Sequence, residues 1–308
     1  MELNKRRQLA RKISLVEDSS GFGVDDQDGI DSGTGAAFRI GITGPVGAGK
    51  STLINKLAVE QRRRAHTVGI IAVDPSSPYT GGAVLGDRVR MTELTLDKGV
   101  FIRSLATRGA FGGLTESSAD AADILDHFGF ARIIIETVGV GQTEIDIVEA
   151  CDATVVVLEP SSGDGVQAIK AGLMEIADLF AINKMDIQGA NRFLEDVETA
   201  IHLKHTDTLP KVLPVIAVKG EGITELVDYL DEFFELQKAS GMLYKRRKEQ
   251  RIKRIKRLTA MMISKKLWDQ ISEEEIRDLM KAQITVRQAA RQLMARINTN
   301  TGLKYEQK

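Results

Sequence analysis

Apolar runs rich in β-branched residues alternate with amphipathic stretches through the middle of this 308-residue chain. The runs lack the polar–apolar alternation of a half-exposed strand, so we expect strands that are covered on both faces. Strands interleaved with helices predict an α/β fold with a mostly parallel sheet flanked by helices. The predicted strands cover residues 38–43, 67–73, 100–105, 131–137, 153–158, 179–182 and 212–217.

The two ends of the chain have different patterns. Residues 3 to about 16 predict a short amphipathic helix, and residues 17–37 are rich in Gly, Ser and Asp without periodicity, which is typical of a flexible acidic linker. From about residue 239 onward, apolar residues at helical spacing predict a long helix and shorter helices near 272–281 and 284–297. We therefore predict an N-terminal helix and linker over 1–37, a core domain over 38–237 and a C-terminal helical extension over 238–308.

Composition narrows the classes of partner. A net charge of −1 and an aromatic content of 5% give no support to nucleic-acid binding. The single cysteine, Cys151, excludes an intrachain disulfide and is consistent with a reducing cytoplasm. No signal-peptide core or membrane-length apolar run is present. We expect a cytoplasmic protein that binds neither nucleic acid nor membrane.

The basic stretch over residues 245–257 leaves one alternative open, because a basic helix can bind nucleic acid or an acidic membrane. We favour a solvated basic face on a helix whose apolar stripe packs against a second subunit. Trp268 would then lie at a helix interface, and a homodimer is expected.

Residues 44–51 read Gly-Pro-Val-Gly-Ala-Gly-Lys-Ser and match the phosphate-binding pattern of Gly, any four residues, Gly, Lys and Ser or Thr. A predicted strand precedes the loop and a predicted helix, from Thr52 to about Arg63, follows it. Backbone N–H groups would hold phosphate, Lys50 would reach the β and γ phosphates, and the Ser51 hydroxyl would coordinate Mg²⁺. The predicted nucleotide-binding residues here are Gly44, Val46, Gly47, Ala48, Gly49, Lys50, Ser51 and Thr52.

A second motif selects the base. Asn183, Lys184, Met185 and Asp186 follow the predicted strand over residues 179–182. A carboxylate there accepts two hydrogen bonds from guanine, whereas adenine offers no matching pair of donors, so the motif predicts GTP and GDP rather than ATP. The segment that contains Val218 is expected to lie against the base.

Three carboxylates follow predicted strands or a mobile loop near the phosphates. Glu136 ends its strand three residues before Gly139; in many GTPases this position acts through the Mg²⁺ shell and the glycine N–H meets the γ-phosphate. Asp74 also follows a strand, while Asp87 could place Mg²⁺ or water, or cap a helix. The predicted catalytic residues are Lys50, Asp74, Asp87 and Glu136, and the predicted Mg²⁺ ligands are Ser51, Asp74, Asp87 and Glu136.

These segments together carry a family resemblance. Asp-Pro-Ser-Ser from Asp74, Gly-Asp-Arg-Val-Arg-Met to Met91, Glu-Thr-Val-Gly-Val-Gly-Gln from Glu136, Gly163-Asp164 with Gln167, and the base-selecting motif resemble the MeaB-type accessory GTPases of methylmalonyl-CoA mutase. The resemblance is close over about residues 38–237 and loose at both ends.

The resemblance implies a P-loop GTPase that forms a homodimer and binds a B12-dependent acyl-CoA mutase, with a cobalamin adenosyltransferase as a further partner. It also implies control over loading and protection of adenosylcobalamin. Residues 139–142 would belong to a switch, and residues from about Ser161 to Lys170 to a second switch that faces the mutase. Gly165 departs from the family, which carries a larger, often acidic residue there.

Other functions are compatible with a phosphate loop. A small-molecule kinase linked to arginine or ornithine transport would need an acceptor pocket, whereas Glu136 and the guanine motif favour water as the acceptor. A metallocofactor-insertion GTPase would carry Cys and His clusters, and His202 with His205 lacks a third ligand. No arginine finger is obvious, although Arg88, Arg90 and Arg108 are candidates, so we expect slow basal turnover that a partner raises.

Overall fold

The structure is a computed structural model that describes residues 3–18, 35–74, 91–106, 116–137, 149–161, 173–203, 209–281 and 284–301. The predicted site residues Asp87 and Gly139 lie outside the described residues. The same holds for Arg88, Arg90, Arg108, His205, the segment over residues 162–172 and most of the predicted acidic linker.

The described residues form a seven-stranded sheet in which every neighbouring pair is parallel. The strands are β1 (Phe38–Thr43), β2 (Val68–Asp74), β3 (Val100–Ala106), β4 (Arg132–Glu136), β5 (Ala153–Leu158), β6 (Leu179–Ile182) and β7 (Lys211–Pro214). Their order across the sheet is β3-β2-β4-β1-β5-β6-β7. The predicted parallel α/β fold is confirmed, and the carboxyl ends of all these strands meet at one edge.

Helices connect and flank the strands. Within the described residues the longer ones are α1 (Leu3–Asp18), α2 (Lys50–Arg63), α3 (Glu116–His127), α4 (Ala190–His202), α5 (Ile223–Ala239), α6 (Met242–Trp268), α7 (Glu273–Lys281) and α8 (Val286–Thr301). Short helical turns lie at Thr92–Thr95 and Met174–Ile176.

Both faces of the sheet are covered, which explains the continuous apolar runs. One face of β1 and its neighbours packs against α2 and α5 through residues such as Ile40, Leu53 and Leu226. The other face of β2 and β4 packs against α3, and α1 joins this layer through Leu9 and Ile13. The N-terminal helix is therefore part of the core packing rather than a detached arm.

Several predicted boundaries differ from the structure by one or more residues, and two of these differences have a clear local cause. The helix after the phosphate loop begins at Lys50 rather than Thr52, because the left-handed Gly49 is its N-cap. The last strand ends at Pro214 rather than residue 217, because the chain turns back there and Ile216 forms an isolated antiparallel bridge with Glu221.

Ion pairs connect the first turns of α6 to the amino-terminal edge of the sheet. Arg246 makes a two-pronged ion pair with Asp178, with both N–O distances at 2.9 Å. Arg247 contacts Asp152, which is almost fully buried, at 2.6 and 2.7 Å. Partly buried, doubly bonded pairs of this kind hold a helix in a defined direction.

Contacts divide the chain into a unit over Met1–Gln250 and a second unit over Arg251–Lys308. In the second unit, large apolar side chains on α6 are exposed, including Ile255, Met262 (60% exposed) and Trp268 (54% exposed). Trp268 was expected at a helix interface, but within the described chain it lies open. None of the described helices is long and apolar enough to cross a membrane.

Candidate nucleotide-binding site

The phosphate loop follows β1 at the carboxyl edge of the sheet and depends on two glycines. Gly44 has a φ of 134°, and a Cβ there would lie 2.1 Å from the carbonyl oxygen of Val157. Gly49 has a φ of 88°, and its Cβ would lie 2.3 Å from Nδ2 of Asn183. Larger residues would therefore collide with the neighbouring strand or with the base-selecting loop.

Lys50 is nearly buried beneath this loop, and Nζ donates hydrogen bonds to the carbonyl oxygens of Gly44 (2.8 Å) and Pro45 (3.1 Å). The first residue of α2 thus places a positive charge against the loop, where the N-terminal end of the helix dipole adds to it. This is the electrostatic arrangement that a phosphate requires.

Ser51 and Glu136, two of the predicted Mg²⁺ ligands, lie side by side. The Ser51 hydroxyl donates to Oε1 of Glu136 at 2.8 Å, and the glutamate is only 4% exposed. The contact follows from the register, because Glu136 pairs with Ile42 across β1 and β4. A hydroxyl beside a carboxylate is an oxygen donor set that suits a hard cation such as Mg²⁺.

A pair of buried threonines supports this position and was missed in the sequence. Thr137 follows β4, and its hydroxyl donates to the Thr43 hydroxyl at 2.9 Å at the end of β1. The Thr137 N–H also donates to the carbonyl oxygen of Ile42. These bonds extend the pairing of the two strands beyond their last residues and fix where the phosphate loop starts.

Asn183 connects the loops that the sequence assigns to phosphate and base. Its Nδ2 donates to the carbonyl oxygen of Ala48 at 2.8 Å, and its Oδ1 accepts the N–H of Ala217 at 3.0 Å. The side chain is buried, so each bond is shielded from water. One amide therefore sets the relative position of the phosphate loop, the base-selecting loop and the turn after β7.

The rest of the base-selecting loop is more open. The Asp186 carboxylate is about one-third exposed and lies 3.6 Å from Nζ of Lys219, while the neighbouring Val218 is exposed. Lys184 has a φ of 59°, a left-handed conformation that is uncommon outside glycine. An accessible carboxylate beside an exposed apolar side chain is compatible with a guanine base.

Glu159 is a further carboxylate at this edge that sequence reasoning missed. It follows β5, and its Oε2 accepts hydrogen bonds from Ser161 and from Nζ of Lys184. Burial by itself raises the pKa of Glu159, but the bonds from Ser161 and Lys184 outweigh burial, so the pKa lies below its usual value. No motif marks this residue; its position immediately after a strand is the only signal in the sequence.

The structure brings together part of the predicted acidic set. Asp74 is the last residue of β2, at the same edge as Glu136, although its side chain lies outside the described part. Among the described residues no group of three or more His, Cys, Asp and Glu side chains is placed to hold a metal ion. His202 lies on α4, and its Nδ1 is 2.7 Å from the Glu198 carbonyl oxygen.

The sequence matches a family described as methylmalonyl Co-A mutase-associated GTPase MeaB over residues 9–272. The chain belongs to this family. The predicted resemblance is therefore confirmed, and this MeaB-family protein is a P-loop GTPase whose ligand is a guanine nucleotide.

Individual relatives agree with the family assignment. A protein of Pyrococcus abyssi named as a GTPase is 44% identical over 286 residues, with 91% of this chain and 88% of the relative covered. The methylmalonic aciduria type A homolog, mitochondrial, of Mus musculus is 39% identical over 231 residues, with 73% of this chain and 56% of the relative covered.

A solved structure of a LAO/AO transport system kinase has a TM-score of 0.69 and 25% identity to this chain. The likeness covers 96% of this chain and 97% of that one. It supports the fold over nearly the whole length, including the C-terminal helices.

Proposed function

We propose that this MeaB-family GTPase hydrolyses GTP with Mg²⁺ in order to control adenosylcobalamin loading and protection in a B12-dependent acyl-CoA mutase. The match to a mutase-associated family over residues 9–272 carries the proposed partner. The name of the mouse relative, which refers to methylmalonic aciduria, supports the same class of partner. A cobalamin adenosyltransferase is proposed as a second partner, and the cytoplasm as the location.

The proposed roles of the site residues come from the motifs that contain them and, for the described residues, from their contacts. Lys50 and the loop N–H groups would hold the phosphates and stabilise the charge that develops as the γ-phosphate leaves. Ser51 and Glu136 would hold Mg²⁺, with Asp74 and Asp87 as further ligands or water-positioning groups. When bound, Mg²⁺ supplies charge neutralisation to the phosphates. The Gly139 N–H would face the γ-phosphate.

Base recognition is tested most directly at Asp186. Asp186→Asn should shift nucleotide preference from GTP toward xanthosine triphosphate, because the amide can donate to the oxygen that xanthine carries at this position. Competition binding with both triphosphates measures the shift, and Asp196→Asn on the exposed side of α4 is the matched control. Unchanged GTP selectivity would remove Asp186 from the base site.

The partner is tested by recovery of bound protein. Tagged protein loaded with GDP or with a non-hydrolysable GTP analogue should retain a B12-dependent mutase, and the amount should differ between the two nucleotides. Recovery of a solute-transport component without a mutase would contradict the proposal.

A second candidate comes from the solved structure described as a transport system kinase. If this chain were a small-molecule kinase, label from the γ-phosphate of GTP would appear on arginine or ornithine. We expect the label in inorganic phosphate with and without these amino acids.

We also propose that residues 238–308 form a dimerisation extension beside the GTPase domain over 38–237. The exposed apolar residues of α6 support this, because contiguous exposed apolar surface on a helix commonly marks an interface.

A further inference from the structure

Glu159 is a buried carboxylate that belongs to none of the nucleotide-binding motifs. It is 5% exposed, and its Oε2 accepts bonds from the Ser161 N–H at 3.2 Å, from the Ser161 hydroxyl, and from Nζ of Lys184 at 3.2 Å. Buried carboxylates persist where they are paired, so these contacts account for its charge. The functional effect of these contacts depends on the position of Lys184.

Strand register brings the two side chains together. Leu158 pairs with Ile182 at the end of β5 and β6, and the Asn183 N–H donates to the Leu158 carbonyl oxygen at 2.8 Å. Glu159 is therefore the residue immediately after β5, beside the start of the base-selecting loop. The Glu159 carboxylate therefore contacts Lys184 directly, because both residues lie just beyond the paired ends of β5 and β6.

The backbone of Lys184 is held in an uncommon conformation. Among the described residues, Lys184 and Ala65 are the non-glycine positions with positive φ. The loop around Lys184 is closed by hydrogen bonds from Met185 N–H to the Val215 carbonyl oxygen and from Ile187 N–H to the Lys184 carbonyl oxygen. A strained residue in a ligand loop is commonly retained because it directs a side chain.

We propose that Glu159 is a positioning residue for guanine binding. By holding the ammonium group of Lys184, Glu159 fixes the aliphatic stem of that lysine. Lys184 follows Asn183 and precedes Asp186 in the base-selecting loop, so a purine held by this loop would lie near the lysine stem. Lysine stems readily cover apolar surfaces while the charged end stays polar. Holding the stem before the nucleotide arrives removes part of the ordering cost of binding. This inference rests on the proposed guanine site.

Affinity for GDP and for inorganic pyrophosphate, measured by calorimetry, tests the proposal. Glu159→Gln and Lys184→Met should each weaken GDP binding about tenfold, the usual size of a charge-assisted contact. The double variant should bind GDP no more weakly than Lys184→Met, because Glu159 acts through Lys184. Pyrophosphate affinity should stay the same in all three proteins, because pyrophosphate lacks a base.

Two results would overturn the proposal: additive losses of GDP affinity in the double variant, or an equal loss for pyrophosphate. Glu195→Gln, on the exposed surface of α4, is the matched control. If Glu159→Gln does not fold, Glu159→Asp keeps the charge but shortens its reach, and it should show a smaller loss that is again confined to GDP.

The experiment separates this inference from the proposed function. If Asp186→Asn leaves base preference unchanged, the guanine site itself is wrong. If Asp186→Asn shifts preference while the Glu159 and Lys184 losses add, only the positioning role of Glu159 is wrong.

Discussion

At the scale of single residues, Asn183 has the largest structural consequence in the site. Asn183→Ala would leave the Ala48 carbonyl oxygen and the Ala217 N–H without the bonds that the amide now makes. Because both groups are buried in the same region, we expect the free energy of unfolding to fall by about 3 kcal/mol. Urea denaturation without nucleotide measures this change.

Asn191, exposed at the start of α4, provides the control for that prediction. Asn191→Ala should change the free energy of unfolding by less than about 0.5 kcal/mol, as is usual for surface positions. Equal effects of the two substitutions would show that the bridging amide is not important for stability.

Glu136 is the residue at which the requirement of GTP hydrolysis for a negative charge can be tested. Glu136→Gln keeps the shape and an acceptor for the Ser51 hydroxyl but removes the negative charge. We expect kcat for GTP hydrolysis to fall about 100-fold, the scale of a lost acid–base or metal-shell group. Phosphate release under saturating GTP measures it, and Glu225→Gln on the exposed face of α5 should hydrolyse GTP normally.

At the scale of secondary-structure elements, an ion pair joins α2 to the turn that precedes β3. Arg62 contacts both oxygens of Asp97, at 2.9 and 3.1 Å. The hydrogen bond from Arg62 is the largest cause that lowers the pKa of Asp97, with a further bond from the Gly99 N–H. The folded protein therefore favours the charged carboxylate more than the unfolded chain does.

This pair predicts a dependence of stability on pH. The contribution of Asp97 is fully present above the ordinary aspartate value near pH 4, and it is lost as pH falls through the lower folded-state pKa. Asp97→Asn should therefore be less stable than the native protein at pH 7, and the difference should shrink toward pH 3. Urea midpoints at both pH values measure it, and a difference that is constant with pH would contradict the assignment.

The sequence predicted the elements better than their junctions. Continuous apolar runs identified the central strands because burial on both faces leaves little room for polar residues, whereas the edge strand β7 has no buried residue. The end of β7 was misplaced because the apolar residues after Pro214 pack within a turn rather than a strand.

The site shows the same division. Lys50, Ser51, Glu136 and Asn183 were predicted because fixed spacing makes their motifs visible. Glu159 and Thr137 were missed because their roles depend on which strands are neighbours in the sheet. The order of the strands in the sheet is a property of the fold, and no local sequence pattern predicts it.

At the scale of the whole molecule, the C-terminal helices predict the oligomeric state. Replacing Ile255 and Met262 by Glu would put charge into the proposed dimer surface, where an unpaired charge is costly. We expect a dimer for the native protein and a monomer for the double variant by sedimentation, with GDP affinity unchanged.

Ser264, an exposed polar position on the opposite side of the same helix, is the control, and Ser264→Glu should remain dimeric. A native protein that sediments as a monomer would contradict the dimer. A double variant that remains dimeric would place the interface elsewhere.

The close approach of Gly49 to Asn183 has a consequence for genetic analysis. An alanine at position 49 would press on Asn183, as well as straining its own left-handed backbone. Part of the resulting defect would therefore belong to base recognition, although the changed residue lies in the phosphate loop. Asn183→Ala should therefore cost less stability in the Gly49→Ala background than in the native protein. A Gly47→Ala background, where a Cβ meets nothing within 4 Å, should leave the cost of Asn183→Ala unchanged.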